Sequence, residues 1–268
     1  MKKTRMLLLV LLLAAAAQAQ PPAGHPWHSA RVACLGDSIT DARHRAASQK
    51  YWSLLQEWLG ITPYVYGISG RQWNDIPRQT DQLLADHGDE VDAILVFAGT
   101  NDFNHGVPLG TWYEECDTTV VAAVREPRHP VQRKMRRPAL DPDTYRGRIN
   151  IALKKLKQCY PTRQIVLLTP LHRSYAEFSE QNVQPSEAYQ NACGEYLDRY
   201  VAAIREAGEV WAVPVIDWGM LSGLYPLLPE YAGYFYDPQN DLLHPNDEGH
   251  RRLALTLFYQ LQQLPCRF

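Results

Sequence analysis

Short runs of consecutive apolar residues, rich in β-branched side chains, recur along the chain and alternate with longer amphipathic segments. The runs lack the polar alternation of a strand exposed on one face, so they predict parallel strands that are covered on both faces. They occupy residues 31–35, 64–68, 92–98, 164–169 and 210–216. The segments with helical spacing occupy residues 48–59, 75–87, 142–160, 186–207 and 246–264.

This strict alternation of strand and helix predicts the fold class. It is typical of a three-layer α/β/α open sheet, mostly parallel, with helices on both faces. No internal repeat and no Gly/Ser linker interrupts the pattern, so we predict a single domain over residues 20–268. A segment around 104–140 has neither the pattern of these strands nor helical spacing, and it is predicted to be an insertion in that domain.

The N-terminal residues 1–19 have the pattern of a secretory signal peptide. Lys2, Lys3 and Arg5 precede an apolar run, and Ala17 and Ala19 form the small-x-small site that signal peptidase cuts. We therefore expect an exported protein, periplasmic or secreted. The apolar run is too short to span a bilayer and no second one follows, so no integral membrane segment is predicted.

The net charge bears on the kind of partner, and the cysteines bear on disulfide bonding. The formal net charge of −2 becomes −5 when the three signal-peptide cations are removed, which disfavours nucleic acid as a partner. Cys34 lies in the first predicted strand and is interpreted as a small buried hydrophobe. The other four cysteines can supply one or two disulfides in an oxidising compartment. These cysteines are Cys116, Cys159, Cys193 and Cys266.

Four polar motifs fall where the predicted strands end. "GDSIT" follows the first strand, "GISG" ends the second, "GTND" follows the third, and "DLLHPNDEGH" leads into the last helix. Open parallel sheets bind ligands beyond the carboxyl ends of their strands. The four motifs are therefore predicted to meet in one site.

In these motifs and their order, the sequence resembles the SGNH or GDSL hydrolases from residue 31 to about residue 264. The resemblance implies a flavodoxin-like fold and hydrolysis of esters without a cofactor. It makes Ser38 the nucleophile, His244 the general base and Asp241 the carboxylate that orients the base. Gly70 and Asn101, with the backbone of Ser38, become the donors of an oxyanion hole.

The chemistry of these residues supports the same roles. A serine hydroxyl needs a base to remove its proton, and an imidazole needs a carboxylate to hold its tautomer. Asp241 and His244 are three residues apart, so one turn can deliver both. If Ser38 opens a helix, the backbone N–H groups there also favour an oxyanion.

Several neighbouring residues have simpler interpretations. His44 repeats the D-x-x-H pattern only six residues after Ser38 and is predicted to be a surface residue. Asp37 and Asp102 are interpreted as side chains that tie loops. A metal site built from Asp241, His244 and further residues of the last motif is disfavoured, because His244 and His250 do not share a helix face.

The substrate is the least determined part of the function. We favour a small-molecule or glycan ester, with short acyl groups on carbohydrate first, over a lipase or a catalytically dead sugar-binding module. His172 and Arg173 follow the fourth strand and are candidate substrate-binding residues. The basic segment 125–137 is interpreted as a solvated loop, with a clamp for an acidic sugar or phosphate as the alternative.

Overall fold

The computed structural model describes residues 24–268, so the predicted signal peptide at 1–19 lies outside the described residues. The strands are β1 (Arg31–Gly36), β2 (Thr62–Val65), β3 (Ala93–Phe97), β4 (Tyr113–Ala122), β5 (His129–Pro138), β6 (Gln164–Leu168), β7 (Ala176–Ser179), β8 (Asn182–Gln184), β9 (Val215–Ile216), β10 (Phe235–Asp237) and β11 (Asp241–Pro245). The helices are α1 (Tyr51–Leu59), α2 (Ile76–His87), α3 (Thr100–Asn104), α4 (Tyr145–Cys159), α5 (Leu197–Trp211), α6 (Trp218–Leu221) and α7 (Asp247–Leu261).

Five strands form the central parallel sheet, in the order β2-β1-β3-β6-β9. Every residue of β3 and β6 is buried, as the uninterrupted apolar runs predict. Along β1, Val32 and Cys34 face one apolar cluster while Ala33 and Leu35 face the other. The first cluster is covered by α1 and α7, and the second by α2, α4 and α5. The predicted three-layer α/β/α fold is therefore confirmed.

One predicted helix begins later and ends later than its pattern suggested. Helical spacing was expected over residues 186–207, whereas α5 runs from Leu197 to Trp211. The side-chain oxygen of Asn191 accepts hydrogen bonds from the backbone N–H groups of Cys193 and Glu195. Such side-chain bonds stabilise turns in place of a helix. The strand expected over 210–216 is correspondingly short, because its first residues belong to α5.

A second, antiparallel sheet lies beside the parallel one and was not predicted. Its strand order is β10-β11-β7-β8, and Asp241 of β11 is paired with Ala176 of β7. Asp241 and His244 of the last polar motif therefore lie on a strand, and not on the helical turn that their spacing suggested. This pairing also brings the β7–β8 hairpin, which follows the fourth parallel strand, next to Asp241 and His244.

The segment predicted to be an insertion contains a long hairpin. Strands β4 and β5 pair antiparallel over ten residues each, from Tyr113 opposite Pro138 to Ala122 opposite His129. The basic segment 125–137 thus forms the hairpin turn and most of β5, and the expectation of a solvated loop is only partly met. On this exposed ribbon Glu114 pairs with Arg137 and Glu115 with Lys134.

Two further properties concern the described residues, 24–268. All five cysteines carry free thiols there, and Cys34 is fully buried as expected. The disulfides that the sequence allowed are not formed in this structure. Within the same range no helix is long and apolar enough to cross a membrane.

Candidate active site

Ser38 lies in a tight turn directly after β1. The turn is closed by the backbone N–H groups of Thr40 and Asp41, which both donate to the carbonyl of Asp37. Gly36, which precedes this turn, must be a glycine, because a Cβ there would lie 2.2 Å from the carbonyl oxygen of Phe97. The expectation that Ser38 opens a helix is wrong, since turns follow and α1 begins only at Tyr51. A helix dipole therefore does not contribute at this serine.

Ser38, His244 and Asp241 form a buried chain of hydrogen bonds. Ser38 Oγ lies 2.8 Å from His244 Nε2, and His244 Nδ1 lies 2.8 Å from Asp241 Oδ2. A carboxylate only accepts, so Nδ1 carries the hydrogen and Nε2 accepts from the serine hydroxyl. The other carboxylate oxygen of Asp241 accepts the backbone N–H groups of Leu243 and His244. This arrangement can take a proton from Ser38 and stabilise the imidazolium that results.

Gly70 and Asn101 lie beside Ser38, at the ends of the neighbouring parallel strands. With Ser38 they line a pocket of about 190 Å³. Gly70 has a φ of +78°, which a residue with a Cβ rarely adopts. Asn101 Nδ2 donates to the carbonyl of Arg71 at 2.9 Å, which holds the amide against the residue that follows Gly70. Within residues 24–268 the Asn101 amide donates no other hydrogen bond.

His44 lies in this pocket, so its interpretation as a surface residue is wrong. Its ring packs against that of His244, with 4.1 Å between the centroids and 33° between the planes. The turns after Ser38, in which Asp41 Oδ1 accepts the N–H of Arg43 at 2.9 Å, fold His44 back. Burial, with a smaller effect from the nearby His244, lowers the pKa of His44 to about 4. His44 is therefore neutral at pH 7.

The β7–β8 hairpin forms the opposite wall of the pocket, which sequence reasoning missed. The rings of Phe178 and His244 pack edge to face, with 5.4 Å between the centroids, and Phe178 is 42% exposed. Asn182 and Gln184 also line the pocket. No local motif marks these residues, because they reach the site only through the long-range pairing of β7 with β11.

The two candidates after the fourth strand lie outside the pocket. His172 Nδ1 pairs with Glu187 Oε1 at 2.6 Å and borders a separate cleft. Its hydrogen bond to Glu187 raises the pKa of His172. Arg173 is only 1% exposed, and its guanidinium donates to Gln184 Oε1 at 2.9 Å. Arg173 does not line the pocket around Ser38, and its hydrogen bond to Gln184 holds a residue of the hairpin wall.

Asp37 and Asp102 tie loops together, as predicted. Asp37 Oδ1 accepts the N–H of Ile39, while Asp102 accepts the N–H of Trp73 and pairs with Arg148 at 3.0 Å. Burial raises the pKa of Asp37 to about 7 and that of Asp102 to about 6.

His250 is buried and accepts the backbone N–H of Tyr51. Among residues 24–268, no group of three or more His, Cys, Asp or Glu side chains is placed to hold a metal ion.

The chain is similar to known proteins in sequence and in structure. The sequence profile of the GDSL-like lipase/acylhydrolase family matches residues 34–252. A crystal structure of a protein from Lactobacillus plantarum is similar, with a TM-score of 0.69 and 24% identity over 88% of this chain and 98% of that one. A possible lipase from Chitinophaga pinensis gives a TM-score of 0.63 and 23% identity over 88% and 98%.

A catalytic mutant of an acetylxylan esterase from Geobacillus stearothermophilus is also similar in structure. It gives a TM-score of 0.51 and 20% identity over 87% of this chain and 94% of that one. At these identities the solved structures establish the fold alone. No curated protein matches the chain in sequence.

Proposed function

The chain belongs to the GDSL-like lipase/acylhydrolase family and is a carboxylic ester hydrolase, and on that premise we propose that it removes short acyl groups, acetyl first, from carbohydrate. The observation that carries the proposal is the hydrogen-bonded chain of Ser38, His244 and Asp241 at the edge of a small pocket.

In the proposed mechanism Ser38 Oγ attacks the ester carbonyl while its proton moves to His244 Nε2. The negative charge that develops on the carbonyl oxygen is bound by the N–H groups of Ser38 and Gly70 and by the Asn101 amide. His244 then gives the proton to the leaving alcohol, which leaves an acyl group on Ser38. Water, deprotonated by His244, releases the acid and restores the serine.

The small size of the pocket favours a short acyl group. Its volume of about 190 Å³ lies below the ~300–1,000 Å³ of typical sites for drug-sized ligands. Apart from Phe178 and Leu243, the side chains that line it are polar or imidazole. The acetylxylan esterase among the similar structures acts on an acetylated glycan, which supports the same substrate class.

The sequence of the first nineteen residues supports a proposal about location. Their cationic start, apolar run and small-x-small site are typical of export to the periplasm or the medium. N-terminal sequencing of the protein recovered from each cell fraction tests this proposal. A mature chain starting near Gln20 outside the cytoplasm supports it, and an intact Met1 on cytoplasmic protein refutes it.

A series of p-nitrophenyl esters tests the substrate proposal. We expect the highest kcat/KM for acetate, a lower value for butyrate and almost no turnover of octanoate, together with release of acetate from acetylated glycans. A lipid hydrolase with an apolar channel would gain several-fold per added methylene, because burying each CH₂ is worth about 0.8 kcal/mol. A kcat/KM that climbs steadily to octanoate would favour the lipase alternative.

A further inference from the structure

A second, more open cleft of about 540 Å³ adjoins the catalytic pocket. The two share His44, Ser69 and Phe178 as lining residues. His44 and Phe178 are also the residues whose rings contact His244. Since His244 must protonate the leaving oxygen of the ester, the leaving alcohol lies beside these rings. The open cleft, which we name the alcohol-side cleft, is therefore where the alcohol part of the substrate extends.

Two exposed aromatic rings border the alcohol-side cleft. Phe178 is 42% exposed and Tyr236 is 54% exposed, although both belong to strands of the second sheet. Both rings are therefore about half buried, and their exposed apolar parts border an open cleft beside the catalytic residues. Such faces fit the C–H face of a sugar ring, which suits the proposed carbohydrate substrate.

Two aspartates, Asp41 and Asp241, and two arginines, Arg43 and Arg45, line the alcohol-side cleft. Arg43 is held by Asp41, with 3.2 Å between Nε and Oδ1, and Asp241 is bound to His244. Arg45 is exposed and also lines the cleft. Within residues 24–268 its guanidinium makes no hydrogen bond or ion pair. A guanidinium is a planar double donor that matches a carboxylate.

We propose that the alcohol-side cleft selects a sugar that carries a carboxylate, so that the preferred substrate is an O-acetylated uronic acid residue. Arg45 binds the carboxylate, and Tyr236 and Phe178 stack on the sugar ring. This inference rests on the proposed carbohydrate-esterase function and deepens it. Phosphate on an acyl glycerol would also satisfy Arg45, but it would leave both aromatic rings without a sugar to cover them.

The test compares two acetylated sugars on the full-length mature enzyme. Release of acetate is measured from mono-O-acetylated oligogalacturonides and from mono-O-acetylated xylo-oligosaccharides, which are neutral. Variants Arg45→Gln and Tyr236→Ala are compared with Arg128→Gln, which removes the same charge from the exposed β4–β5 hairpin. Circular dichroism and thermal unfolding verify that each variant is folded.

We expect the wild-type enzyme to have the lower KM for the acidic substrate. Arg45→Gln should raise that KM about fivefold, the upper range for an exposed ion pair, and leave the KM for the neutral substrate unchanged. High salt should have the same effect as Arg45→Gln, because exposed charges are screened. Tyr236→Ala should raise KM for both sugars alike, and Arg128→Gln should change neither.

The outcomes separate this inference from the proposed function. Equal KM values for the two sugars, or equal effects of Arg45→Gln and Arg128→Gln, would overturn the uronate preference and leave the carbohydrate esterase intact. Hydrolysis of p-nitrophenyl acetate without acetate release from any sugar would overturn both. A preference for acetyl glycerol phosphate that needs Arg45 but not Tyr236 would replace the sugar with a phosphate-bearing alcohol.

Discussion

Asp41 joins two of the loops that build the active site. Its carboxylate accepts the N–H of Arg43, which folds the chain back after Ser38, and both the N–H and the hydroxyl of Ser69, each at 2.9 Å. Burial raises the pKa of Asp41, but these hydrogen bonds outweigh burial and lower it below its ordinary value. The charged carboxylate therefore fixes Ser38 relative to Gly70, the next residue after Ser69.

Replacing Asn101 by Ala should lower kcat by about 10²–10³ and leave KM little changed. The reason is that the proposed amide hydrogen bond forms to charge that develops only in the transition state. Steady-state kinetics with p-nitrophenyl acetate measures both constants. A raised KM with an unchanged kcat would instead make Asn101 a residue that binds the substrate in its ground state.

Replacing His44 by Ala should lower kcat by about tenfold or less, because ring packing of this kind is worth about 0.5–1.5 kcal/mol. His44 packs on the imidazole of His244 and is neutral at pH 7, so we expect it to act by positioning that ring. His44→Phe keeps a planar ring there and should recover most of the activity. If His44→Phe were as slow as His44→Ala, an imidazole nitrogen of His44 would be required and positioning would not explain its effect.

Some residues of the site could be predicted from the sequence and others could not. Ser38, Asp241 and His244 lie in short motifs whose members are neighbours in the chain, so spacing alone brings Asp241 and His244 together. Phe178 and Gln184 belong to a hairpin whose place depends on pairing with β11, more than fifty residues away. Local periodicity carries no information about that pairing, and the site wall could not be predicted.

At the scale of elements, the β4–β5 hairpin takes no part in the catalytic site. None of its residues lines the pocket around Ser38 or the alcohol-side cleft. Replacing residues 114–137 by a short Gly/Ser loop should therefore leave kcat/KM for p-nitrophenyl acetate and acetylated sugars within about twofold, given that distant changes are usually independent. A loss of activity that is confined to acidic sugars would support the alternative that the basic segment 125–137 is a clamp for an acidic substrate.

The elements that were predicted well are those that are buried on both faces. β3 and β6 have no exposed residue, so their sequences are continuous apolar runs that only a covered strand explains. The start of α5 was misplaced because the Asn191 turn interrupts a segment whose composition otherwise suits a helix. Propensity alone does not detect a turn that one side chain creates.

For the whole molecule, Asp37 makes stability depend on pH. Burial raises its pKa to about 7, whereas an unfolded aspartate titrates near 3.9. The folded state therefore holds the Asp37 proton more tightly than the unfolded state does. The stabilisation that Asp37 contributes is complete below about pH 4 and is lost as the pH rises to about 7. An asparagine side chain cannot ionise, so the Asp37→Asn variant should lack this loss.

Urea unfolding of both proteins at about pH 5 and about pH 8 measures the effect. Relative to wild type, Asp37→Asn should be more stable at the higher pH than at the lower one, because the pH effects of groups that do not interact with Asp37 cancel in the comparison. An identical difference in unfolding free energy at both pH values would mean that Asp37 is already charged at the lower pH.

Labelling of the intact enzyme with a fluorophosphonate probe tests the central claim, that Ser38 is a nucleophile activated by His244 and Asp241. Mass spectrometry should find one adduct per chain, and peptide mapping should assign it to Ser38. Ser38→Ala should take up no label, and His244→Ala should be labelled at least about 10³-fold more slowly, since the base is lost. An adduct on another residue, or ester hydrolysis that persists undiminished in Ser38→Ala, would contradict the claim.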